Sequence, residues 1–172
     1  MLVAAANDGE EAAFVALYER HRDWVVRLAH RFTGNPDDAQ DVLQETFKYM
    51  LGKFPGFKLT AAMTTFLYPV VRNLSLEILR GRRREPVADE QLLANIPAGE
   101  EGGVIAGELP VVLAALPATH LEVVLMRFVD GLSLEEISLS LEIPIGTVKS
   151  RLHNALSRLR RDPRTRRYFE VD

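Results

Sequence analysis

Cysteine is absent from the 172-residue sequence. Disulfide bonds and thiolate metal sites are therefore excluded, which fits a protein kept in a reducing cytoplasm. Long apolar runs are absent too, because no stretch approaches the roughly 20 apolar residues that a membrane-spanning helix needs. The N-terminus also lacks the basic head and apolar core of a targeting segment. The sequence therefore predicts a soluble, cytoplasmic protein, and its apolar content of 47% is sufficient for packed cores.

Positive charge is missing from one stretch of the chain. Residues 85–108 contain no Lys or Arg and 6 Asp or Glu, whereas residues 1–84 contain 12 basic and 10 acidic residues and residues 109–172 contain 9 and 8. The acidic stretch is also rich in Gly and Pro, which favours a connector over a packed element. The distribution predicts two domains, at 1–84 and 109–172, joined by a flexible acidic linker at 85–108.

Two short helical patterns near the C-terminus are separated by a tight turn. Ser133 followed by Glu136 forms a capping box, which predicts a first helix over about 134–141. Pro144 interrupts this pattern, and a second apolar period then predicts a helix over 145–161. The arrangement is typical of a helix-turn-helix, in which the second helix enters the major groove of DNA.

The outer face of this second helix contains the candidate DNA contacts. The N-terminal part of such a helix lies nearest the base edges, and Arg151 has a side chain that can read guanine. Lys149 and the later arginines suit phosphates, since backbone contacts outnumber base contacts and only position a protein. The predicted DNA-binding residues are Thr147, Lys149, Ser150, Arg151, Asn154 and Arg158, with Arg160 and Arg161 as further phosphate contacts.

Helical periodicity also dominates the rest of the sequence, so the fold class is predicted to be all-α. One helix is expected from Ala12 to Thr33. A second is expected from Pro36 to about Leu51, with Asn35 as its N-cap. The remaining helices are expected from Thr60 to a basic run at 80–84 and, as a pair, between 109 and 129.

Three features of the first domain have two interpretations each. Asp38, Asp41 and Glu45 recur at three and four residues and form an acidic stripe, which is either a solvated helix face or a docking surface for a basic partner. The 52–58 loop contains two phenylalanines between two lysines, so its rings either stack on bases or pack into the core. The basic run at 80–84 is either solvated or a phosphate contact.

Four motifs in register resemble an extracytoplasmic-function sigma factor, a subunit of bacterial RNA polymerase. They are Asp37–Phe47, Phe66–Asn73, Leu116–Phe128 and the helix-turn-helix, and they span nearly the whole chain. The resemblance implies that the first domain binds core polymerase and opens the minus-10 promoter element, whereas the second binds the minus-35 element. It also implies that the linker lies near the RNA exit path and that an anti-sigma factor controls the protein.

The resemblance assigns roles to three groups of residues. The polymerase-docking motif falls on Asp37, Asp38, Asp41, Gln44 and Glu45. The loop in which the family captures a base flipped from the non-template strand falls on Lys53, Phe54, Phe57 and Lys58. The helix that meets the minus-10 element contains Asn73, Glu77 and Arg80, and Arg82, Arg83 and Arg84 extend it toward phosphates. The resemblance also implies that the DNA contacts predicted for the helix-turn-helix are contacts with the minus-35 element.

Four positions depart from the usual pattern of this family. Phe66 replaces a common Trp, and Leu121 replaces a usual Arg. Pro69, where Arg is common, is expected to bend its helix because proline removes one helical hydrogen bond. Glu142 occupies a turn position where Gly is usual, and a positive φ there would cost Glu about 1 kcal/mol.

Some features of the sequence are shared with two other kinds of protein, a metal-dependent enzyme and a DNA-binding regulator. Glu19, His21, Asp23 and His30 are helical neighbours, but their spacing matches no metal-ligand motif such as HExxH. We therefore expect no enzymatic activity, no metal and no cofactor. The second alternative is a DNA-binding regulator that acts without RNA polymerase, because residues 146–150 also resemble helix-turn-helix response regulators; the docking motif argues against it.

Overall fold

The computed structural model describes residues 1–82 and 109–166, and all regular secondary structure in these ranges is helical. The all-α prediction is therefore confirmed. The chain divides into two compact units, Met1–Val87 and Ala88–Asp172. The predicted linker at 85–108 lies outside the described residues. In the ranges that the structure describes, no helix is both long enough and apolar enough to cross a membrane.

The first unit contains a bundle of three long helices with a short helix added at the N-terminus. The helices are α1 (Leu2–Asn7), α2 (Glu11–Thr33), α3 (Pro36–Leu51) and α4 (Met63–Arg82). α2, α3 and α4 pack against one another, and α1 packs against α2. Their shared core includes Val25, Leu28, Val42, Met50, Leu67 and Val71. α1 was not predicted, because it is short and no side chain caps its start.

The junction between α2 and α3 forms as its local sequence predicts. α2 is followed by Gly34 in the left-handed conformation, with φ 66°. The Asn35 carboxamide oxygen then accepts hydrogen bonds from the N–H groups of Asp37 and Asp38, at 2.8 and 3.1 Å. These bonds satisfy two of the N–H groups that a helix start leaves without an internal partner, so the cap fixes where α3 begins.

α4 differs from the prediction at its first turn. It begins at Met63 rather than Thr60, because its first hydrogen bond joins the Phe66 N–H to the carbonyl of Ala62. The helix then runs without a break through Pro69 to Arg82. Proline costs one hydrogen bond but does not end the helix here, and the expected bend stays a prediction.

The second unit has four helices within residues 109–166. They are α5 (Leu109–Ala114), α6 (Ala118–Phe128), α7 (Leu134–Leu141) and α8 (Ile145–Arg161). α6 packs against α7 and α8, and α7 packs against α8. The core is formed by apolar side chains that include Val123, Met126, Leu132, Ile137, Val148 and Ala155. The predicted helix-turn-helix is therefore confirmed as α7, a turn and α8.

Hydrogen bonds on both sides of α7 fix the geometry of this motif. The capping box is present: the Glu136 N–H donates to the Ser133 hydroxyl at 3.1 Å, and the Ser133 N–H donates to the Glu136 carboxylate at 2.8 Å. At the other end, the Ser138 hydroxyl donates to the Ile143 carbonyl at 2.6 Å. Glu142 has φ 53° and ψ 40°, so it adopts the left-handed conformation for which Gly is the usual residue.

Candidate DNA- and polymerase-binding surfaces

α8 separates an apolar face from a polar and basic one. Val148, Ala155 and Leu159 are buried against the other helices of the unit. The predicted DNA contacts on the opposite face are exposed at Lys149, Ser150, Asn154 and Arg158, and half-buried at Thr147 and Arg151. No side chain caps the start of α8, so its first N–H groups have no side-chain acceptor. This face can bind the phosphates and base edges of DNA.

An open cleft of about 420 Å³ lies between the start of α6 and the second half of α8. Its lining is Pro117, His120, His153, Asn154, Ser157, Arg158 and Arg161. Partial burial, followed by the positive charges of Arg151 and Arg158, lowers the pKa of His120 below its ordinary value. His120 and His153 were not among the predicted contacts; they come from different helices, α6 and α8, and only the fold brings them to one cleft.

The acidic face of α3 is narrower than the sequence predicts. Asp37, Asp41, Gln44 and Glu45 are exposed, but Asp38 is only 2% exposed. A side chain buried to that degree cannot contact a partner surface, so the assignment of Asp38 to direct polymerase binding is corrected. Asp38 lies at the edge of the buried arc of α3, where packing rather than residue spacing decides exposure.

Glu45 already has a partner on the same helix. Its carboxylate lies 2.6 Å from the Lys48 ammonium, and both side chains are more than half exposed. An exposed pair of this kind contributes at most about 1 kcal/mol. A basic side chain of a docking partner can therefore displace Lys48 from Glu45 with little loss of free energy.

The 52–58 loop contributes one ring to the core and leaves its lysines outside. Phe57 is 9% exposed, with ring centroids 4.8 Å from Phe66 and 5.3 Å from Phe54. Its burial contradicts a direct role in stacking on a base, and the core alternative describes it correctly. Phe54 is half-buried and meets Phe14 edge to face at 5.8 Å. Lys53 and Lys58 are exposed as predicted.

An exposed aromatic ring beside this loop was missed by the sequence analysis. Tyr49 is 46% exposed and stacks on Phe66, with centroids 6.3 Å apart and planes 20° from parallel. The Lys53 ammonium lies 4.4 Å from the centre of the Tyr49 ring, within cation–π range. A large aromatic residue in an outward phase of α3 was the signal that could have identified it.

The predicted minus-10 residues of α4 lie on one stripe. Asn73, Glu77 and Arg80 are all exposed and follow one another at spacings of four and three residues, which places them on the same side of the helix. The structure thus brings these three together. Arg83, Arg84 and the side chain of Arg82 lie outside the described residues.

A metal centre receives no support from the described ranges, 1–82 and 109–166. They contain no group of three or more His, Asp or Glu side chains placed to hold a metal ion. Arg22 instead lies 3.4 Å from Glu19 and 3.5 Å from Asp23, within ion-pair distance of two of the residues considered as ligands.

Both units match regions of one protein family. Residues 17–85 match the family described as Sigma-70 region 2, and residues 112–161 match Sigma-70, region 4. The ECF RNA polymerase sigma factor SigW of Bacillus subtilis is 28% identical, covering 94% of this chain and 95% of its own. The RNA polymerase sigma-E factor of Streptomyces avermitilis is 33% identical, covering 92% and 89%.

A solved structure has a similar fold. It is that of the sigma factor RpoE in complex with the anti-sigma factor NepR from Bartonella quintana, with a TM-score of 0.60 at 22% identity over 86% of this chain and 94% of that one. The fold, the helix-turn-helix and the matches in both units agree with the four motifs of the sequence. The chain belongs to the extracytoplasmic-function group of RNA polymerase sigma factors.

Proposed function

We propose that this protein is an alternative sigma factor that binds core RNA polymerase in the cytoplasm and directs promoter-specific initiation. The observation that carries the proposal is the recognition helix α8, which buries its apolar face and presents Lys149, Asn154 and Arg158 to solvent. The protein supplies binding and positioning, and it performs no chemistry of its own.

The second unit, with proposed bounds 109–172, recognises the minus-35 element. Thr147, Ser150 and Arg151 lie in the first two turns of α8, the part of a recognition helix that is nearest the base edges. The Ser150 hydroxyl donates to the Thr147 carbonyl at 3.0 Å, which leaves its oxygen free to accept from a base or a bound water. Lys149, Asn154 and Arg158 hold the phosphates on either side.

The acidic face of α3 docks on the polymerase. Asp37, Asp41 and Glu45 supply carboxylates, and Gln44 adds a neutral hydrogen-bonding side chain between them. Exposed carboxylates on a rigid helix attract a basic surface over about 8 Å at physiological salt, so they speed association as well as add contacts. Asp38 supports this face from inside the unit.

The remainder of the first unit, with proposed bounds 1–84, meets the minus-10 element. Lys53 and Lys58 lie where they can neutralise phosphates, and Asn73, Glu77 and Arg80 face the same strand from α4. An exposed ring beside the 52–58 loop is that of Tyr49, which stacks on Phe66 and carries the Lys53 ammonium over it, so a flipped base reaches this ring once Lys53 moves to a phosphate. Stacking on such a ring is worth about 1–3 kcal/mol per base, which offsets part of the cost of unpairing.

Two further elements complete the proposal. Residues 85–108 form an acidic connector suited to a basic channel of the polymerase, because they contain no Lys or Arg. An anti-sigma factor covers the binding surfaces of both units and holds the protein inactive. The likeness in fold to a sigma factor bound to an anti-sigma factor supports this second element.

Reconstituted transcription tests the proposal. The full chain is mixed with core RNA polymerase and a library of random promoter sequences, and the initiated transcripts are sequenced. We expect enrichment of one bipartite promoter with two elements at fixed spacing. Failure of the chain to associate with core polymerase in a pull-down would instead favour a regulator that acts alone.

A further inference from the structure

The side chain of Asn7 binds the backbone of a loop that lies about 50 residues further along the chain. Its carboxamide oxygen accepts hydrogen bonds from the N–H groups of Gly56 and Phe57, at 2.7 and 2.9 Å. Its amide nitrogen donates to the carbonyl of Phe57 at 2.9 Å. One side chain thus satisfies three backbone groups at the tip of the 52–58 loop.

These bonds act where the loop has little regular structure of its own. Gly56 has φ 98°, a conformation that side chains with a Cβ rarely adopt, so the loop turns sharply there. The Phe57 ring is held from the opposite side by Phe66 of α4. Asn7 and Phe66 therefore fix the same residue, one through its backbone and the other through its ring.

We infer that Asn7 is a positioning residue for promoter opening: through the backbone of Gly56 and Phe57 it fixes the loop that places Lys53 and Lys58 on single-stranded DNA. The inference rests on the proposed function of this loop. It gives α1 a role in DNA melting, although no residue of α1 belongs to the sequence motifs and none needs to touch DNA.

Asn7→Ala removes all three hydrogen bonds, whereas Asn7→Asp keeps an acceptor for the two N–H groups and loses the donor to the Phe57 carbonyl. Asp8→Ala is the matched control, since Asp8 is the exposed neighbour at the end of α1. Each variant, in the full chain with core polymerase, is assayed on a promoter selected from the random library. The template is either a normal duplex or the same promoter with the minus-10 region mismatched so that it is already open.

We expect Asn7→Ala to lower initiation on the duplex by about tenfold, the effect of losing three hydrogen bonds that each contribute at the low end of the usual net range. Initiation on the open template and the affinity for core polymerase should change less than twofold. Asn7→Asp should lie between Asn7→Ala and the wild type, and Asp8→Ala should match the wild type. Hydrogen exchange at the Gly56 and Phe57 amides should become faster in Asn7→Ala.

Two results would overturn the inference. One is unchanged initiation on the duplex. The other is an equal loss on both templates together with weaker core binding, which would make Asn7 a residue of the fold alone. Lys58→Ala separates this failure from that of the proposed function. If Lys58→Ala leaves duplex initiation unchanged, the loop does not meet DNA; if it impairs initiation and Asn7→Ala does not, only the role of Asn7 is refuted.

Discussion

Replacing Glu142 with glycine is expected to stabilise the second unit. Among residues 1–82 and 109–166, Glu142 is the only residue other than glycine with a positive φ. For a residue with a Cβ, this left-handed conformation costs roughly 1–2 kcal/mol. Glycine avoids that cost, but it also gives the unfolded chain more conformational entropy, which lowers the free energy of unfolding by about 0.4–1 kcal/mol. The midpoints give a net gain of about 0.8 kcal/mol, which corresponds to a rise in Tm of roughly 3–6 °C for a domain of this size.

Thermal unfolding of the full chain measures this effect, because the two units report through different signals. The single tryptophan, Trp24, lies in α2, so its fluorescence follows the first unit. Circular dichroism at 222 nm follows the helices of both. We expect Glu142→Gly to raise the transition of the second unit and to leave the Trp24 transition in place.

Glu142→Ala is the matched control for this experiment. Alanine removes the carboxylate but keeps the Cβ, so the cost of the left-handed conformation stays. Its free energy of unfolding should lie within about 0.5 kcal/mol of the wild type, the range of an ordinary surface substitution. If Glu142→Gly is no more stable than Glu142→Ala, the turn is not strained and the reasoning from φ is wrong.

Three further predictions concern binding and pH. Lys149→Ala should weaken DNA binding at every sequence and reduce the slope of log K against log salt by about one, as measured by titrating labelled DNA at several salt concentrations. Replacing both Asp41 and Glu45 with Lys should abolish binding to core polymerase while DNA binding by the full chain persists. If the affinity for core polymerase is unchanged, the acidic face of α3 is a solvated helix surface and not a docking site. Burial and two neighbouring arginines lower the pKa of His120, so the unfolded chain binds the proton more readily. The free energy of unfolding should therefore fall as the pH decreases below the ordinary value of 6.5, and His120→Gln should reduce that fall in denaturant titrations.

Helix boundaries were predictable where the determining residues are close together in the chain. Asn35 caps α3 through N–H groups two and three residues away, and Ser133 and Glu136 cap α7 across three residues. Such bonds depend on local geometry alone, so the sequence contains the whole signal. The start of α4 was wrong by three residues because Thr60 forms no such cap at the helix start. α1 has neither a cap nor the length to show a period.

Exposure at the candidate sites was less predictable, because it depends on which other helices cover a residue. Asp38 and Glu45 are seven residues apart and thus nearly in phase on α3, yet one is buried and the other exposed. The sequence gives the phase of a residue around the helix, but not how far the neighbouring helices cover it. The burial of Phe57 by Phe66 has the same origin, since these residues come from different elements.

Family motifs in this chain therefore combine two kinds of residue with different physical roles. Asp41 and Lys58 are exposed, so under the proposed function their substitution changes a binding free energy. Asp38 lies in the docking motif and Phe57 in the 52–58 loop, but both are buried, so their substitution acts first on the stability or shape of the unit. A loss of transcription alone cannot separate the two roles. The converse also follows from the proposal: Asn7 lies outside every motif, yet its three hydrogen bonds hold the 52–58 loop, so a residue outside the motifs would contribute to the functional surface.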